Sequence, residues 1–306
     1  MKILVLGGSY FYGRVFTMLA AKEHELTLLN RGTYSMSEFG VTHLKGDRHD
    51  RNILGQLKES RMEFDAVVDF CGYTPGDIRI LLEHLFCKIK QYIFISTVDV
   101  YERGIKGFKN EETPYETRSI RGEAGEYIEG KIRLEQELKE VCLQEDIAYT
   151  ILRPAILYGP YNYAPREALY IQMAVQNHLL PRIVDAGGKF QFTYVKDAAN
   201  AICRCLLNEK AYGHAFNLCG DEVLDYEVFT DSLEKAASKE NPIPLEQSRM
   251  TAEQAKERGI PLPFPVYEEE TELYSNEKSK QELGISYTSL SEGMEKTYRV
   301  FKGVFG

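Results

Sequence analysis

The chain has 306 residues, 43% hydrophobic and 27% charged, with 37 Lys+Arg against 46 Asp+Glu and a formal net charge of −9. That length allows one large domain or two modest ones, and the negative balance argues against a dedicated nucleic-acid binder, whose footprint is basic. The N-terminus stays apolar too briefly for a signal peptide, no run of ~18 apolar residues exists to cross a membrane, and the six cysteines show no metal-ligand spacing, so a reduced, cytoplasmic enzyme without a metal site is expected.

Short apolar, β-branched runs alternate with helical periodicity. Candidate strands are Lys2–Leu6, Glu25–Leu29, Val41–Lys45, Ala66–Phe70, Tyr92–Ser96 and Ala148–Arg153, with helical patterns over Gly13–Lys22, Asp77–Phe86 and Ala124–Gln144. The alternation implies right-handed crossovers and a parallel sheet. The expected class is α/β, a Rossmann-type doubly wound sheet with a smaller C-terminal α/β substrate domain. The regular pattern ends after Arg153-Pro154, and Asn241–Pro265 holds five of the eleven prolines. Residues 1–160 and 190–221 are assigned to the dinucleotide-binding domain, and 161–189 and 222–306 to the substrate domain. Residues 222–282 alone carry a net charge of −8.

The first strand runs into Gly7-Gly8-Ser9-Tyr10-Phe11-Tyr12-Gly13 and then a helix. Glycines there let the backbone approach a pyrophosphate, and the helix N-terminus offers free N–H groups and a positive dipole end. Gly7, Ser9, Tyr10, Phe11 and Gly13 are therefore candidate cofactor contacts, although a third glycine at position 10 is replaced by Tyr10. The second strand ends at Asn30-Arg31, where an acidic residue would bind a ribose 2′-hydroxyl. A neutral Asn30 and a cationic Arg31 favour NADP(H), with NAD(H) left open. Arg14 and Arg48 are expected to join Arg31 around a 2′-phosphate. Asp47 is placed at the adenine, and the backbone of Cys71 and Gly72 along the cofactor.

The fifth strand ends in Ser96-Thr97-Val98-Asp99, and Tyr127 and Lys131 follow at i and i+4 on one helical face. A nearby ammonium favours phenolate and lowers a tyrosine's pKa toward working pH. Such a tyrosine exchanges a proton with a substrate hydroxyl while hydride moves to or from nicotinamide.

Taken together, the Gly7–Gly13 loop, Gly46-Asp47, Ser96-Thr97, Tyr127 with Lys131, Leu152–Pro160, Phe192–Ala199 and Glu277–Gly284 resemble the extended short-chain dehydrogenase/reductases of the NAD-dependent epimerase/dehydratase family. The branch it resembles includes chloroplast stem-loop-binding proteins and their bacterial relatives. The resemblance implies Thr97, Tyr127 and Lys131 as catalytic residues, cofactor contacts from Ser96, Pro154 and Ile156, and a homodimer formed through the helix bearing Tyr127. Sugar 4,6-dehydratases in the family carry Thr-Asp-Glu where this chain has Thr97-Val98-Asp99; Val98 supplies no acid, so that activity is disfavoured.

On the substrate side, Asp99, Asn162, Tyr163, Arg166, Arg182 and Gln191 are the candidate polar groups, an arginine being suited to a diphosphate. The expected partner is a small molecule, a nucleotide-activated sugar. The alternatives are a non-enzymatic RNA-associated or regulatory protein on the same fold, or a carbonyl reductase acting on a substrate that is not a nucleotide.

Overall fold

The computed structural model describes residues 1–162, 164–241 and 243–306. In chain order these form β1 (Lys2–Leu6), α1 (Phe11–Ala20), β2 (Glu25–Asn30), β3 (Thr42–Lys45), α2 (Arg51–Glu59), β4 (Ala66–Asp69), α3 (Asp77–Glu83), β5 (Gln91–Ile95), β6 (Phe108–Lys109), α4 (Glu123–Gln144), β7 (Ala148–Pro154) and β8 (Ile156–Tyr158). There follow α5 (Glu167–Gln176), β9 (Leu179–Ile183), β10 (Phe192–Tyr194), α6 (Val195–Cys205), β11 (His214–Leu218), α7 (Tyr226–Glu240), β12 (Glu246–Met250), α8 (Ala252–Glu257), β13 (Leu273–Tyr274), α9 (Glu277–Leu283) and α10 (Leu290–Phe305).

Seven strands make one sheet in the order β3-β2-β1-β4-β5-β7-β11, and every pairing is parallel. Strand order reverses direction between β1 and β4. In such sheets the ligand crevice opens beyond the carboxyl ends of the strands at that switch. Parallel strands covered on both faces must be apolar throughout, and Ile3, Leu4, Val5 and Leu6 are fully buried. One face packs on α1 and α6 through Phe16, Val195, Ala198 and Ile202. The other packs on α2, α3 and α4 through Leu54, Leu81, Leu134 and Leu138.

A separate apolar cluster forms around α5, α7 and α10, with Tyr170, Phe229, Met294 and Phe301 inside it. Phe190, Phe192 and Tyr194 join this cluster, whereas Leu283 and Ile285 pack with the sheet, because α9 runs against β11 and α6. Asp197 at the start of α6 accepts from the Thr288 N–H at 2.7 Å and its hydroxyl at 2.9 Å, tying the sheet to the C-terminal helix. All six cysteines are free thiols. Among the described residues no helix is long and apolar enough to cross a membrane.

Arg48 does not stand where a cofactor phosphate could reach it. Its Nη1 donates to both carboxylate oxygens of Asp69 at 2.9 Å, and its Nη2 to the Asp77 carbonyl at 2.9 Å. Asp69 is fully buried at the end of β4 and also accepts from the Tyr92 hydroxyl at 2.7 Å and the Cys71 N–H at 2.9 Å. Burial pushes the Asp69 carboxyl up, but Arg48 beside it and these hydrogen bonds hold it below its ordinary value. Removing one partner of such a pair leaves an uncompensated buried charge. Arg48→Ala is therefore expected to lose about 3–5 kcal/mol of unfolding free energy in a urea titration. Arg31→Ala, at an exposed position, should stay within about 0.5 kcal/mol of the parent.

Candidate active site

The turn after β1 uses backbone only glycine adopts freely: Gly7 has φ +92° and Gly8 φ +76°. A Cβ on Gly13 would stand 2.8 Å from the Gly8 Cα, so α1 abuts the turn. No side-chain hydrogen bond caps α1 at Tyr10, and its first turn holds no acidic residue. A helix start left open in this way fits an anion, and these residues therefore fit the pyrophosphate of a dinucleotide. Ser9 is buried beside the turn.

At the ends of β2 and β3 the side chains are more committed than the sequence suggests. The Asn30 amide donates to the Gly7 carbonyl at 2.7 Å, and its oxygen accepts from the Gly32 N–H at 2.8 Å. A ring nitrogen of His43 lies 2.6 Å from the same oxygen, so Asn30 links β2 to β3 and to the turn after β1. Arg14 lies over the Tyr161 ring at 5.1 Å and pairs with Glu38. With Arg48 buried against Asp69, the expected trio of arginines reduces to Arg31, which makes no ion pair among the described residues. Asp47 is exposed, and the His49 backbone N–H is the main influence holding its carboxyl low.

A cavity of about 990 Å³ runs from Tyr10 and Phe11 past the ends of β5 and β7 to residues 262–274. Ser96, Thr97, Asp99, Tyr127, Lys131, Pro154, Ile156, Asn162, Arg166 and Gln191 all line it. Asn30, Arg31 and Asp47 lie beyond this lining. Cys71 and Gly72 also lie beyond the lining; the Gly72 carbonyl accepts from Lys131, and the Cys71 N–H donates to Asp69. The Ser96 hydroxyl donates to buried Glu135. Arg182 does not reach the cavity, because Asp231, Glu234 and Thr230 of α7 hold its guanidinium. Tyr163 lies outside the described residues.

Tyr127 and Lys131 project from the first turns of α4 into the same corner. Lys131 is 2% exposed, and its Nζ donates to the carbonyls of Gly72 at 2.9 Å and Ile95 at 2.8 Å. Burial lowers its ammonium to about 8. Nζ lies 5.8 Å from the Tyr127 ring centre. Tyr127 is 40% exposed as a residue, but lost hydration at its hydroxyl, then Tyr73 and the Asp99 carboxylate, push its pKa up rather than in the expected direction, while Thr97 and Arg166 pull against them. The Thr97 hydroxyl donates to Asp99 Oδ2 at 2.8 Å.

Sequence reasoning missed several cavity groups. Tyr73 packs its ring 6.1 Å from that of Tyr127. Arg103 and Arg118 line the roof; Arg118 pairs with Glu116, whereas the Arg103 guanidinium has no ion-pair partner among the described residues. No periodicity marks this segment between β5 and α4. Glu167, at the start of α5, was also missed. It is fully buried, and its Oε1 accepts from the Asn162 amide at 2.8 Å and the Gly159 N–H at 3.1 Å. Its Oε2 has no partner among the described residues.

A glycine turn at the head of a parallel sheet, with a helical Tyr127–Lys131 pair set against a strand-end Thr97, defines the nicotinamide-dependent class of extended short-chain dehydrogenases/reductases. Residues 3–219 match the NAD dependent epimerase/dehydratase family, and the chain belongs to that family. It is 28% identical to the chloroplast stem-loop binding protein of 41 kDa b of Arabidopsis thaliana, over 98% of this chain and 79% of that protein. Among solved structures, UDP-glucose 4-epimerase of Thermotoga maritima with UDP-glucose superposes with a TM-score of 0.78 at 18% identity, covering 100% of both chains. UDP-glucuronic acid 4-epimerase of Bacillus cereus with UDP-glucuronic acid and NAD gives 0.74 at 19% identity, covering 99% of this chain and 100% of that one. The dTDP-glucose 4,6-dehydratase of Bacillus anthracis with NAD gives 0.76 at 19%, covering 99% and 97%. At these identities the likeness is one of fold.

Burial raises the Glu167 carboxyl to about 7, above the roughly 4.3 of an unfolded glutamate. The native state therefore keeps this proton longer than the unfolded chain, and the group's contribution to stability falls as pH rises from about 4.5 to about 7. Glu167→Gln cannot titrate. Its unfolding free energy relative to the parent is expected to rise steadily between pH 5 and 7.5, as read by urea titrations across that range.

Proposed function

We propose that the protein is a nicotinamide-dependent epimerase or oxidoreductase of a nucleotide-activated sugar, with Tyr127 as its proton-transfer residue. The observation that carries this reading is the meeting of Thr97, Tyr127 and Lys131 in a cavity that also holds two arginines, Arg103 and Arg166, without ion-pair partners among the described residues. The glycine turn and the open start of α1 would hold the cofactor pyrophosphate. A bound nicotinamide supplies a hydride acceptor and donor for the carbon that bears the reacting hydroxyl.

The chain's own groups supply the rest. As a phenol, Tyr127 gives its proton to a substrate carbonyl oxygen as hydride arrives and is left as phenolate; the reverse step starts from that phenolate, whose Oη takes the hydroxyl proton. Thr97 donates to Asp99 Oδ2 and accepts from the Asp99 N–H, which leaves one lone pair of its hydroxyl for the same corner. Arg103 and Arg166 offer planar forks for a diphosphate. Gln191 is less free, since its amide donates to the Gly220 carbonyl and its oxygen accepts from the Tyr274 N–H. Residues 161–189 and 222–306 are read as the substrate-selecting part. The six free thiols suit a reducing compartment.

Tyr127→Phe is expected to slow hydride transfer by about 10²–10⁴-fold while leaving dinucleotide affinity within twofold. The measurement is single-turnover nicotinamide absorbance with each member of a UDP- and dTDP-hexose panel. Product analysis separates epimerisation, oxidation and dehydration. A second reading, stem-loop RNA binding without catalysis, draws on the name of the Arabidopsis relative. Salt-sensitive RNA binding, together with unchanged biological activity in Tyr127→Phe, would favour it.

For the cofactor, Arg31 supports NADP(H), now without help from Arg14 or Arg48. NADP is expected to raise the melting temperature more than NAD at equal concentration, and Arg31→Asp to reverse that order. A larger shift with NAD in the parent protein would sink the Arg31 argument.

A further inference from the structure

Asn162 and Arg166 both line the cavity, and both belong to the turn that joins β8 to α5. That turn contains strained backbone, held in part by an Asn162 N–H to Gly159 carbonyl bond of 3.3 Å. Tyr161 has φ +69°, a left-handed conformation costly for a residue with a large side chain. Gly159 has φ +131°, and a Cβ there would stand 2.7 Å from a Val195 methyl. Inside the turn, the Asn162 side-chain oxygen accepts from the Ala164 N–H at 3.2 Å, and the Arg166 N–H donates to the Ala164 carbonyl at 2.7 Å. Among the described residues its hydrogen-bonded support from outside is the carboxyl group of Glu167, which accepts from the Gly159 N–H and the Asn162 amide, while Arg14 lies over the Tyr161 ring.

We propose that Glu167 is a positioning residue for the substrate: its buried carboxyl group holds Gly159 and Asn162 in the turn before α5, and so sets where the Asn162 amide and the Arg166 guanidinium stand in the cavity. This rests on the reading of that cavity as a site for an anionic, nucleotide-linked substrate. Glu167 does not line the cavity, so it touches no substrate and acts only through its neighbours. The placement is expensive. A fully buried carboxylate with one oxygen unpartnered loses hydration that two hydrogen bonds replace only in part. An apolar side chain at the first position of α5 would avoid that cost and would leave the Gly159 N–H and the Asn162 amide unheld. As the Glu167 proton leaves, around pH 7, these hydrogen bonds become charge-assisted and roughly twice as strong as neutral ones.

The test uses two variants and two measurements on the full chain. Glu167→Gln keeps an acceptor oxygen without the charge; Glu167→Leu removes both. Amide hydrogen exchange followed by mass spectrometry reads the turn directly, with no ligand present. Peptides spanning residues 158–167 are expected to exchange at least tenfold faster in Glu167→Leu and a few-fold faster in Glu167→Gln, with peptides from β1 and α4 unchanged. Calorimetric titration with UDP, in the presence of saturating dinucleotide, reads the consequence. The UDP dissociation constant should rise a few-fold in Glu167→Gln and about tenfold in Glu167→Leu, while dinucleotide affinity stays within twofold.

In an Arg166→Ala background the same Glu167→Gln change should cost clearly less UDP affinity than in the parent, because only Asn162 is left to position. Unchanged exchange over 158–167, or an equal loss of UDP affinity with and without Arg166, overturns the proposal. If the parent protein binds dinucleotide but no UDP, the nucleotide-sugar reading fails, and the exchange measurement alone decides the role of Glu167. If Glu167→Leu does not fold, Glu167→Gln and the Arg166→Ala cycle carry the same decision.

Discussion

Lys131 Nζ donates to the carbonyls of Gly72 and Ile95, so a helix side chain takes the place of water at the carboxyl ends of β4 and β5. The aromatic faces of Tyr73 and Phe94 lie 4.6 and 4.7 Å from the ammonium and compensate part of its lost hydration. This one group fixes the distance between α4 and the sheet. A Cβ at the preceding residue, Gly130, would stand 2.6 Å from the Tyr73 carbonyl, so glycine is what lets the helix come that near. One turn earlier on α4, Tyr127 is thereby set in the same corner as Thr97. From beneath, Asp69 accepts from the Cys71 N–H, next to the Gly72 carbonyl to which Lys131 binds, and Arg48 holds Asp69 in place.

The parallel sheet was legible because its strands are buried on both faces and read as unbroken apolar runs, as Ile3-Leu4-Val5-Leu6 does. The i,i+4 spacing of Tyr127 and Lys131 was legible for the same local reason. Charge was not. Arg48 and Arg182 look like anion-binding residues from their neighbours in sequence, yet each is neutralised by carboxylates distant along the chain, Asp69 and Asp77 for the first and Asp231 and Glu234 for the second. The direction of the Tyr127 shift was misread likewise. Helical spacing reveals Lys131 but says nothing of Tyr73 and Asp99, which reach the same phenol from other elements.

The substrate half was less legible than the cofactor half because no single segment builds it. Arg103 comes from the stretch between β5 and α4, Asn162 and Arg166 from the turn before α5, Gln191 from the approach to β10, and Phe264 and Tyr274 from the proline-rich region and β13. None of these stretches has a period to read, and their convergence is a product of topology. A cofactor half built from one repeated strand-turn-helix unit announces itself, whereas a cap assembled from loops does not.

The roof of the cavity is joined across the chain by a very small connection. Leu273 and Tyr274 pair with Phe108 and Lys109 in a two-residue ladder, and Glu272 accepts from both the Gly104 N–H and the Lys109 ammonium. Two stretches some 165 residues apart in sequence therefore cannot drift independently. Across descendants of this gene, change at position 272 should travel with change at 104–109, while the sheet and its glycine turn remain as they are. A single glutamate thus becomes the point at which selection can reshape what the roof admits without rebuilding what lies under it.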